Sequence, residues 1–240
     1  IWPCFAEVTQ RRNLFVHIDG IVSNQHLKVC GENKVNFPTR PQIGDELSVE
    51  PEYFVKAYNC VFKVGVKLGN VLWRKFLPSD LEMADKALNG ICYNLLSNKQ
   101  YELAIRLLEF AVRLPRFSSK QMEYIFVINR AQAYKWISDV ESCRDIISSV
   151  DWSACADEFR LASNVLLDNF DAAALLMRKM GPKGSIMKND YRDWPLFKEF
   201  RKSEQFQSTY LEVFGEAIES VESEVLLTKE VTGASKKMDL

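Results

Sequence analysis

The chain has 240 residues, enough for one or two domains with a buried core. It is 47% hydrophobic and 26% charged with a formal net charge of −1, which is typical of a soluble globular protein and argues against a generally basic nucleic-acid binder. No apolar run approaches the roughly 20 residues of a membrane helix, and no signal-peptide pattern is present. We therefore expect a cytoplasmic protein that makes no membrane contact.

The first segment, 1–18, predicts a helix that Asp19-Gly20 ends. Its apolar positions are Phe5, Val8, Leu14, Phe15 and Ile18. A short segment, IVSNQHLKVC, follows and is compatible with a second helix. Because the chain begins IWPCF, without Met, we expect it to be part of a longer protein whose preceding helices pack against this region.

Three prolines and two glycines predict a loop from about residue 31 to 51, with a small hairpin between 35–37 and 46–49. A long helix is predicted from about 52 to 76. The residues expected on its apolar face are Tyr53, Val55, Tyr58, Val61, Phe62, Val64, Leu68, Val71 and Leu72.

SDLE at 79–82 is a capping-box pattern that predicts the next helix start. From there the sequence resembles tetratricopeptide-type helix pairs, with Tyr101, Ala104, Ala111 and Pro115 at the large, small, small and closing positions. The large–small step recurs at Val140/Cys143 and Phe170/Ala173, so the small positions are 39 and 30 residues apart around a family norm of about 34. An aromatic-rich pair after residue 190 is expected to cap this array, and a tail is expected to follow.

The segment RRNLFVH, residues 11–17, carries the densest polar chemistry. On a helix Asn13 and His17 share one face at i and i+4, and the long side chain of Arg12 can reach them. Arginine can bind a phosphate and stabilise the charge that develops on it, and histidine can move a proton near neutral pH. RNA supplies its own 2′-OH nucleophile, so this set could cleave a phosphodiester without a metal.

Arg12-Asn13 followed by His17 resembles the R-x(4–6)-H signature of the HEPN superfamily, and Gly20, Ile21 and Val22 fit the bacterial form of that motif. The resemblance implies an all-α bundle that acts as a metal-independent endoribonuclease leaving 2′,3′-cyclic phosphate and 5′-OH ends. It also implies a homodimer in which both motifs line one cleft. The alternative from the residues alone is a solvated arginine face, with His17 near a helix C-terminus that favours its protonated form.

Further basic residues could contact RNA phosphates. Arg11 flanks the motif, and Lys63, Lys67, Arg74 and Lys75 lie on the long helix. Arg106, Arg113, Arg116 and Lys120 could form a second patch, and in each case a solvated helix face is the alternative reading. The six cysteines form no CxxC and the two histidines join no Cys/His cluster, so we predict no metal site and no cofactor.

The sequence thus predicts an all-α protein with a HEPN-like portion at 1–77, a TPR-like array at 78–220 and a tail at 221–240. The expected function is RNA cleavage by Arg12, Asn13 and His17, as a toxin or phage-defence effector whose repeats bind a protein partner or trigger. Two alternatives remain open: a non-catalytic helical-repeat scaffold, and an antitoxin or immunity-type binding partner.

Overall fold

A computed structural model of the chain describes residues 1–218. Among these residues the regular structure is helical, and the β-structure consists of one isolated bridge between Ile21 and Glu46, so the predicted all-α class is confirmed. The described chain divides into two compact units, the first Ile1–Phe126 and the second beginning at Val127. The organisation into portions at 1–77 and 78–220 stays a prediction, and the tail at 221–240 lies outside the described residues.

In the first unit, α1 packs on α2 and α3, and α3 also packs on α4 and α5. The helices are α1 (Trp2–Ile18), α2 (Asn24–Glu32), α3 (Pro51–Phe76), α4 (Leu81–Ser97) and α5 (Tyr101–Ala111). The two predicted long helices are therefore present nearly at their expected bounds. The indole N–H of Trp2 also donates to Asn33 Oδ1 at 2.8 Å, which ties the start of α1 to the residue after α2.

Two local predictions in this unit are wrong. The hairpin between 35–37 and 46–49 does not form, because the second segment pairs instead with the turn after α1: Leu47 N donates to Gly20 O and Val22 N to Asp45 O. The capping box at 79–82 does not form either. The chain enters α4 through a 3₁₀ turn at Pro78–Asp80, and the Asp80 carboxylate accepts a hydrogen bond from Trp73 Nε1 at 2.7 Å.

The three helix pairs noted in the sequence share one turn. In each, the second residue after the first helix has a left-handed backbone, with φ of 59° at Lys99, 68° at Ser138 and 60° at Asp168. Each turn also carries the same pair of hydrogen bonds, i to i−3 from that residue and i to i−5 from the next, which is the Schellman pattern of a helix end. The repeat spacing of 39 and 30 residues is thus a repeat of backbone geometry as well as of residue type.

The small positions that follow these turns are buried. Ala104, Cys143 and Ala173 are each 0% exposed, as close helix packing requires. The large position is less regular, since the Phe170 ring contacts that of Phe200 at 5.3 Å between centroids, whereas Val140 is 41% exposed.

The second unit has an aromatic core at its C-terminal end. The helix α6 (Lys120–Trp136) crosses the boundary between the units. The helices of the second unit are α7 (Val140–Ser148), α8 (Asp157–Leu166), α9 (Phe170–Met180), α10 (Lys188–Asp193) and α11 (Glu204–Phe214). Buried aromatic rings contact one another across α10, α11 and the 3₁₀ turns between them; they are Tyr191, Phe197, Phe200, Phe206 and Tyr210. This cluster lies where the sequence predicted an aromatic cap.

The long helix α3 is less buried than its sequence predicted. Cys60 and Asn70 face the core, but most members of the expected apolar face lie exposed, including Tyr58, Val61 and Leu68. The helix is apolar on more than one side, so packing against α1, α4 and α5 covers only part of its hydrophobic surface.

Candidate functional site

The motif residues lie exposed on the last turns of α1. Arg12, Asn13 and His17 all face water, whereas Leu14, in the same turns, is buried and anchors the helix. The Arg12 guanidinium donates from Nη1 to Asn13 Oδ1 at 3.1 Å, so the first two members touch. Among the described residues no hydrogen bond or ion pair involves His17, which leaves its imidazole free to meet a ligand.

The turn after the motif has a fixed shape. Asp19 and Gly20 have φ of 51° and 81°, and Gly20 is buried. A Cβ at Gly20 would lie 2.9 Å from Phe15 Cε1 and 3.1 Å from Leu47 O, so only glycine fits both the backbone and the space. The end of the motif helix is thereby held against the loop at 44–47.

Arg11, next to the motif, is held inside the protein. Its Nε donates to Glu7 Oε1 at 2.7 Å, its Nη1 donates to Ser48 O at 3.2 Å, and its guanidinium lies 4.0 Å over the ring of Tyr53. The Tyr53 hydroxyl donates to the other Glu7 oxygen at 2.9 Å. Arg11 therefore joins α1 to α3, and its guanidinium is not directed to the exposed surface beside Arg12.

His26 belongs to this buried region rather than to the exposed motif. It is 1% exposed, its ring lies 6.1 Å from that of Phe37, and its Nε2 lies 3.9 Å from Cys30 Sγ. Its Nδ1 has no hydrogen-bond partner among the described residues. Burial lowers the pKa of His26; nearby Glu7 opposes that shift and Arg11 adds to it.

Arg74 is also committed to partners within the protein. Its Nη2 pairs with the fully buried Asp85, its Nε donates to Asn70 Oδ1 at 2.7 Å and its Nη1 to Arg116 O at 2.8 Å. The second Asp85 oxygen accepts from Ser118 N at 2.6 Å. This network joins α3, α4 and the segment after α5, so Arg74 is placed as a structural residue and not as an open cation.

Lys67 lies beside Phe110 and feels the charges of one other lysine and two arginines. Lys67 is half-buried with its Nζ 5.4 Å from the Phe110 ring centroid. Its pKa is lowered, first by burial and then by the positive charges of Lys63, Arg106 and Arg113. Arg113 pairs with Glu109 at 3.2 Å, whereas the other three cations have no carboxylate within ion-pair distance among the described residues. Folding thus brings like charges from α3, α5 and the turn after α5 near one another, and three of the four have no carboxylate partner among the described residues.

The predicted substrate-binding residues do not form one patch. Lys75 is exposed near the end of α3, with its Nζ 5.5 Å over Phe76. Lys63 and Lys67 lie 10 and 14 residues after Tyr53, which is about 15–20 Å along the helix. Since Tyr53 contacts Arg11 beside the motif, the structure brings Arg12 and Asn13 together but places the α3 lysines some distance away.

The carboxylates and the tyrosine that hold Arg11 and Arg74 were not predicted from the sequence. Glu7 could have been found, because it lies four residues before Arg11 on the same helix, the spacing of a helical ion pair. Tyr53 and Asp85 could not, because the first contacts a residue 46 positions from it and the second pairs with Arg74, eleven positions earlier on another helix.

Within residues 1–218 no group of three or more His, Cys, Asp or Glu side chains is placed to hold a metal ion. All six cysteines are free thiols, and Cys30, Cys60, Cys92 and Cys143 are buried. Burial raises the pKa of Cys30 and Cys143 to about 11 and of Cys60 and Cys92 to about 12, so these thiols are not activated nucleophiles. In the same residues no helix is both long and apolar enough to cross a membrane.

Comparison with known proteins gives no relative. No protein-family model matches the chain, and no match is found among curated proteins or solved structures. The class that the fold defines is all-α, and a fold class by itself does not set a function.

Proposed function

We propose that this chain is a metal-independent RNA endonuclease of HEPN type, with Arg12, Asn13 and His17 as its catalytic residues. The reaction is a transesterification. The 2′-oxygen of a ribose attacks the adjacent phosphorus, the bond from phosphorus to the 5′-oxygen of the next nucleotide breaks, and the products carry a 2′,3′-cyclic phosphate and a 5′-OH. One proton leaves the 2′-OH and one is delivered to the departing 5′-oxygen.

Each motif residue has a distinct task in this proposal. Arg12 binds a non-bridging oxygen of the phosphate and stabilises the negative charge that grows there. His17 takes the proton from the 2′-OH or gives one to the 5′-oxygen. Asn13 holds the guanidinium of Arg12 through the 3.1 Å hydrogen bond between them. The chemistry needs no metal, because the nucleophile is part of the substrate.

The observation that carries the proposal is the exposure of the three motif residues on a helix that Arg11 and Glu7 join to α3. Arg11 points inward to Glu7 and Tyr53, whereas Arg12, one residue later, points to water and contacts Asn13. Arg11 thus joins helices within the protein, whereas the exposed Arg12 contacts the exposed amide of Asn13. A set that must bind phosphate requires this accessibility.

The resemblance to HEPN proteins adds a second copy to the proposal. In that arrangement two motifs line one cleft, so that one His17 can accept the proton while the other donates one. Lys63, Lys67 and Lys75 would bind RNA phosphates outside the cleft, and the helix pairs with their shared turn would bind a protein partner or trigger. A toxin or phage-defence effector is the biological role that this combination fits best.

The rival function is a non-catalytic interaction protein. The exposed apolar side of α3 and the three repeated helix turns favour it, because both features suit protein contacts and neither needs chemistry. An antitoxin or immunity-type partner belongs to the same class. The two functions differ in whether the chain alone cleaves RNA.

The test is RNA cleavage by the 240-residue chain in EDTA, with single-stranded RNA labelled at its 5′ end. We expect cleavage that leaves 2′,3′-cyclic phosphate ends, and a loss of at least about 100-fold in His17→Ala, the usual contribution of one general acid or base. Val16→Ala is the matched control, since Val16 is the neighbouring exposed residue and has no proton to transfer. Equal cleavage by the native chain and His17→Ala, or cleavage by neither, would remove the proposed mechanism.

A further inference from the structure

One side of α3 is exposed along almost the whole helix. Its apolar residues, with Gly65 between Val61 and Leu68, are spaced three or four apart, so they follow one face of the helix as the residues of a helix–helix contact do. We call these residues the α3 seam: Phe54, Tyr58, Val61, Leu68, Leu72 and Phe76. Each has between 42% and 67% of its surface exposed.

The α3 seam is large and uncharged. Its side chains leave on the order of 600 Å² of apolar surface in water, if each carries about 150–200 Å² in full. That area is at the upper limit of what monomers expose in one patch and approaches the roughly 800 Å² that each partner contributes to a standard interface. None of the seam residues is charged, whereas Lys67, on the opposite side of α3, lies over the ring of Phe110.

Two glycines on the same side lack a reason within the chain. Gly65 continues the four-and-three spacing between Val61 and Leu68, and Gly69 follows one turn later. A Cβ at either position would meet nothing within 4 Å, and neither has a positive φ. Glycine in a helix interior is destabilising relative to alanine, so both positions lose helix stability for no internal contact. Close approach of another backbone is the use that glycine serves at such a position.

We propose that a second copy of this chain covers the α3 seam, as an antiparallel helix pair with its two-fold axis at Gly65. The seam is apolar against apolar in that register, with Leu68 facing Phe62, which lies beside the seam on the same helix. Phe54 faces Phe76 of the second copy, Tyr58 faces Leu72, and Val61 faces Gly69, so that a large side chain fills the space beside a glycine. Gly65 faces its own copy at the axis, where the two backbones come closest. An isologous contact of this kind requires one surface to match itself, and the uncharged seam sets no like charges against each other.

This contact is distinct from the pairing of motifs that the HEPN resemblance implies. Tyr53, which contacts Arg11, lies 12 residues from Gly65, or about 18 Å along the helix. The two copies' motifs would therefore lie at opposite ends of the paired helices, roughly 36 Å apart along the axis. The seam contact does not depend on RNA cleavage, and a chain without nuclease activity would still form it.

The first test measures the mass of the 240-residue chain by light scattering after size-exclusion chromatography. We expect a mass of at least twice 27.7 kDa, which Leu68→Glu reduces by half. Leu175→Glu is the matched control, because Leu175 is an exposed leucine on α9 and its change should leave the mass unaltered. A native mass of 27.7 kDa, or an oligomer that Leu68→Glu leaves intact, would overturn the proposal.

The second test uses the glycine. Gly65→Ala should raise the dissociation constant of the oligomer at least ten-fold, because the new methyl group holds the helices apart, although alanine favours the helix itself. Gly90→Ala in α4, where a Cβ also meets nothing, should leave the dissociation constant unchanged. An unchanged dissociation constant in Gly65→Ala would contradict the close approach.

The register is tested by oxidation of cysteine variants, with the linked residues identified by mass spectrometry. A mixture of Phe54→Cys and Phe76→Cys chains should cross-link, and Phe54→Cys alone should not. A parallel pair would give the reverse result and would overturn the antiparallel proposal.

Discussion

Arg11 and Tyr53 are joined through one carboxylate. The Arg11 Nε and the Tyr53 hydroxyl donate to the two oxygens of Glu7 at 2.7 and 2.9 Å, while the Arg11 guanidinium lies 4.0 Å over the Tyr53 ring. The Glu7 and Arg11 side chains are only 11% and 16% exposed. This contact fixes α1 on α3, and it explains why the first arginine of RRNLFVH turns inward.

The two adjacent arginines should therefore fail in different ways when each is replaced by alanine. Arg11→Ala leaves the buried Glu7 charge without its partner, so we expect the free energy of unfolding to fall by about 2–4 kcal/mol, with catalysis retained wherever the chain is folded. Arg12→Ala should abolish RNA cleavage and change the unfolding free energy by less than about 0.5 kcal/mol, because its side chain is exposed. Urea unfolding and RNA cleavage measured on both variants distinguish these outcomes. Loss of stability in Arg12→Ala instead would show that the roles are reversed.

His26 should make the stability of the chain depend on pH. Burial lowers its pKa in the folded state below the ordinary value of 6.5. As pH falls through 6.5, the unfolded chain binds a proton that the folded chain does not, so stability is present above this pH and is lost below it. The slope is at most about 1.4 kcal/mol per pH unit for one group.

The measurement is the unfolding free energy of the native chain and of His26→Phe between pH 7.5 and 5. Phenylalanine keeps a ring in the buried site and cannot titrate, so the difference between the two curves reports His26 alone. We expect the native chain to lose more stability than the variant as pH falls. Parallel curves would show that His26 does not carry the effect.

Lys67 and Arg74 were both predicted to bind substrate. Changing each to methionine should affect different properties, RNA affinity for Lys67 and folding stability for Arg74. Lys67→Met removes one of several like charges around Phe110, so we expect stability to hold or rise at low salt while RNA affinity falls. Its affinity should also depend less on salt, with the logarithmic slope reduced by about 0.7 for one lost phosphate contact on single-stranded RNA. Filter binding at several salt concentrations measures this.

Arg74→Met should instead lower the free energy of unfolding by about 3–5 kcal/mol, because it leaves the buried Asp85 charge without its partner. Any loss of RNA binding in this variant should follow its loss of folded protein. If the Arg74→Met chain is folded and stable but binds RNA more weakly, Arg74 contacts the substrate and the structural role is wrong.

Much of the local structure could be predicted because it depends on neighbours in sequence. Apolar periodicity placed α1 and α3 nearly to the residue, since a helix closes its hydrogen bonds within four positions. The large–small spacing found the three helix pairs, whose turns share one backbone geometry at Lys99, Ser138 and Asp168. The all-α class follows from these segments together.

The errors occurred where a distant segment offered a better partner. The segment 46–49 was predicted to form a hairpin with 35–37, but residues 45–47 pair with the turn at 20–22 instead. Ser79 and Glu82 have the spacing of a capping box, but the chain enters α4 through a 3₁₀ turn in which the Trp73 indole donates to Asp80. In both cases the competing contact belongs to another part of the first unit, and local propensity does not record it.

The sequence by itself determined that RRNLFVH is helical and that Asn13 and His17 share a face, because helix geometry is set by the chain's own repeat. Only the tertiary structure decided which basic side chains remain open. The guanidinium groups of Arg11 and Arg74 pair with the carboxylates of Glu7 and Asp85, and Arg12 is exposed. The physical reason is that the state of a charge depends on which groups folding brings within a few ångströms of it, and that distance is not fixed by spacing along the chain.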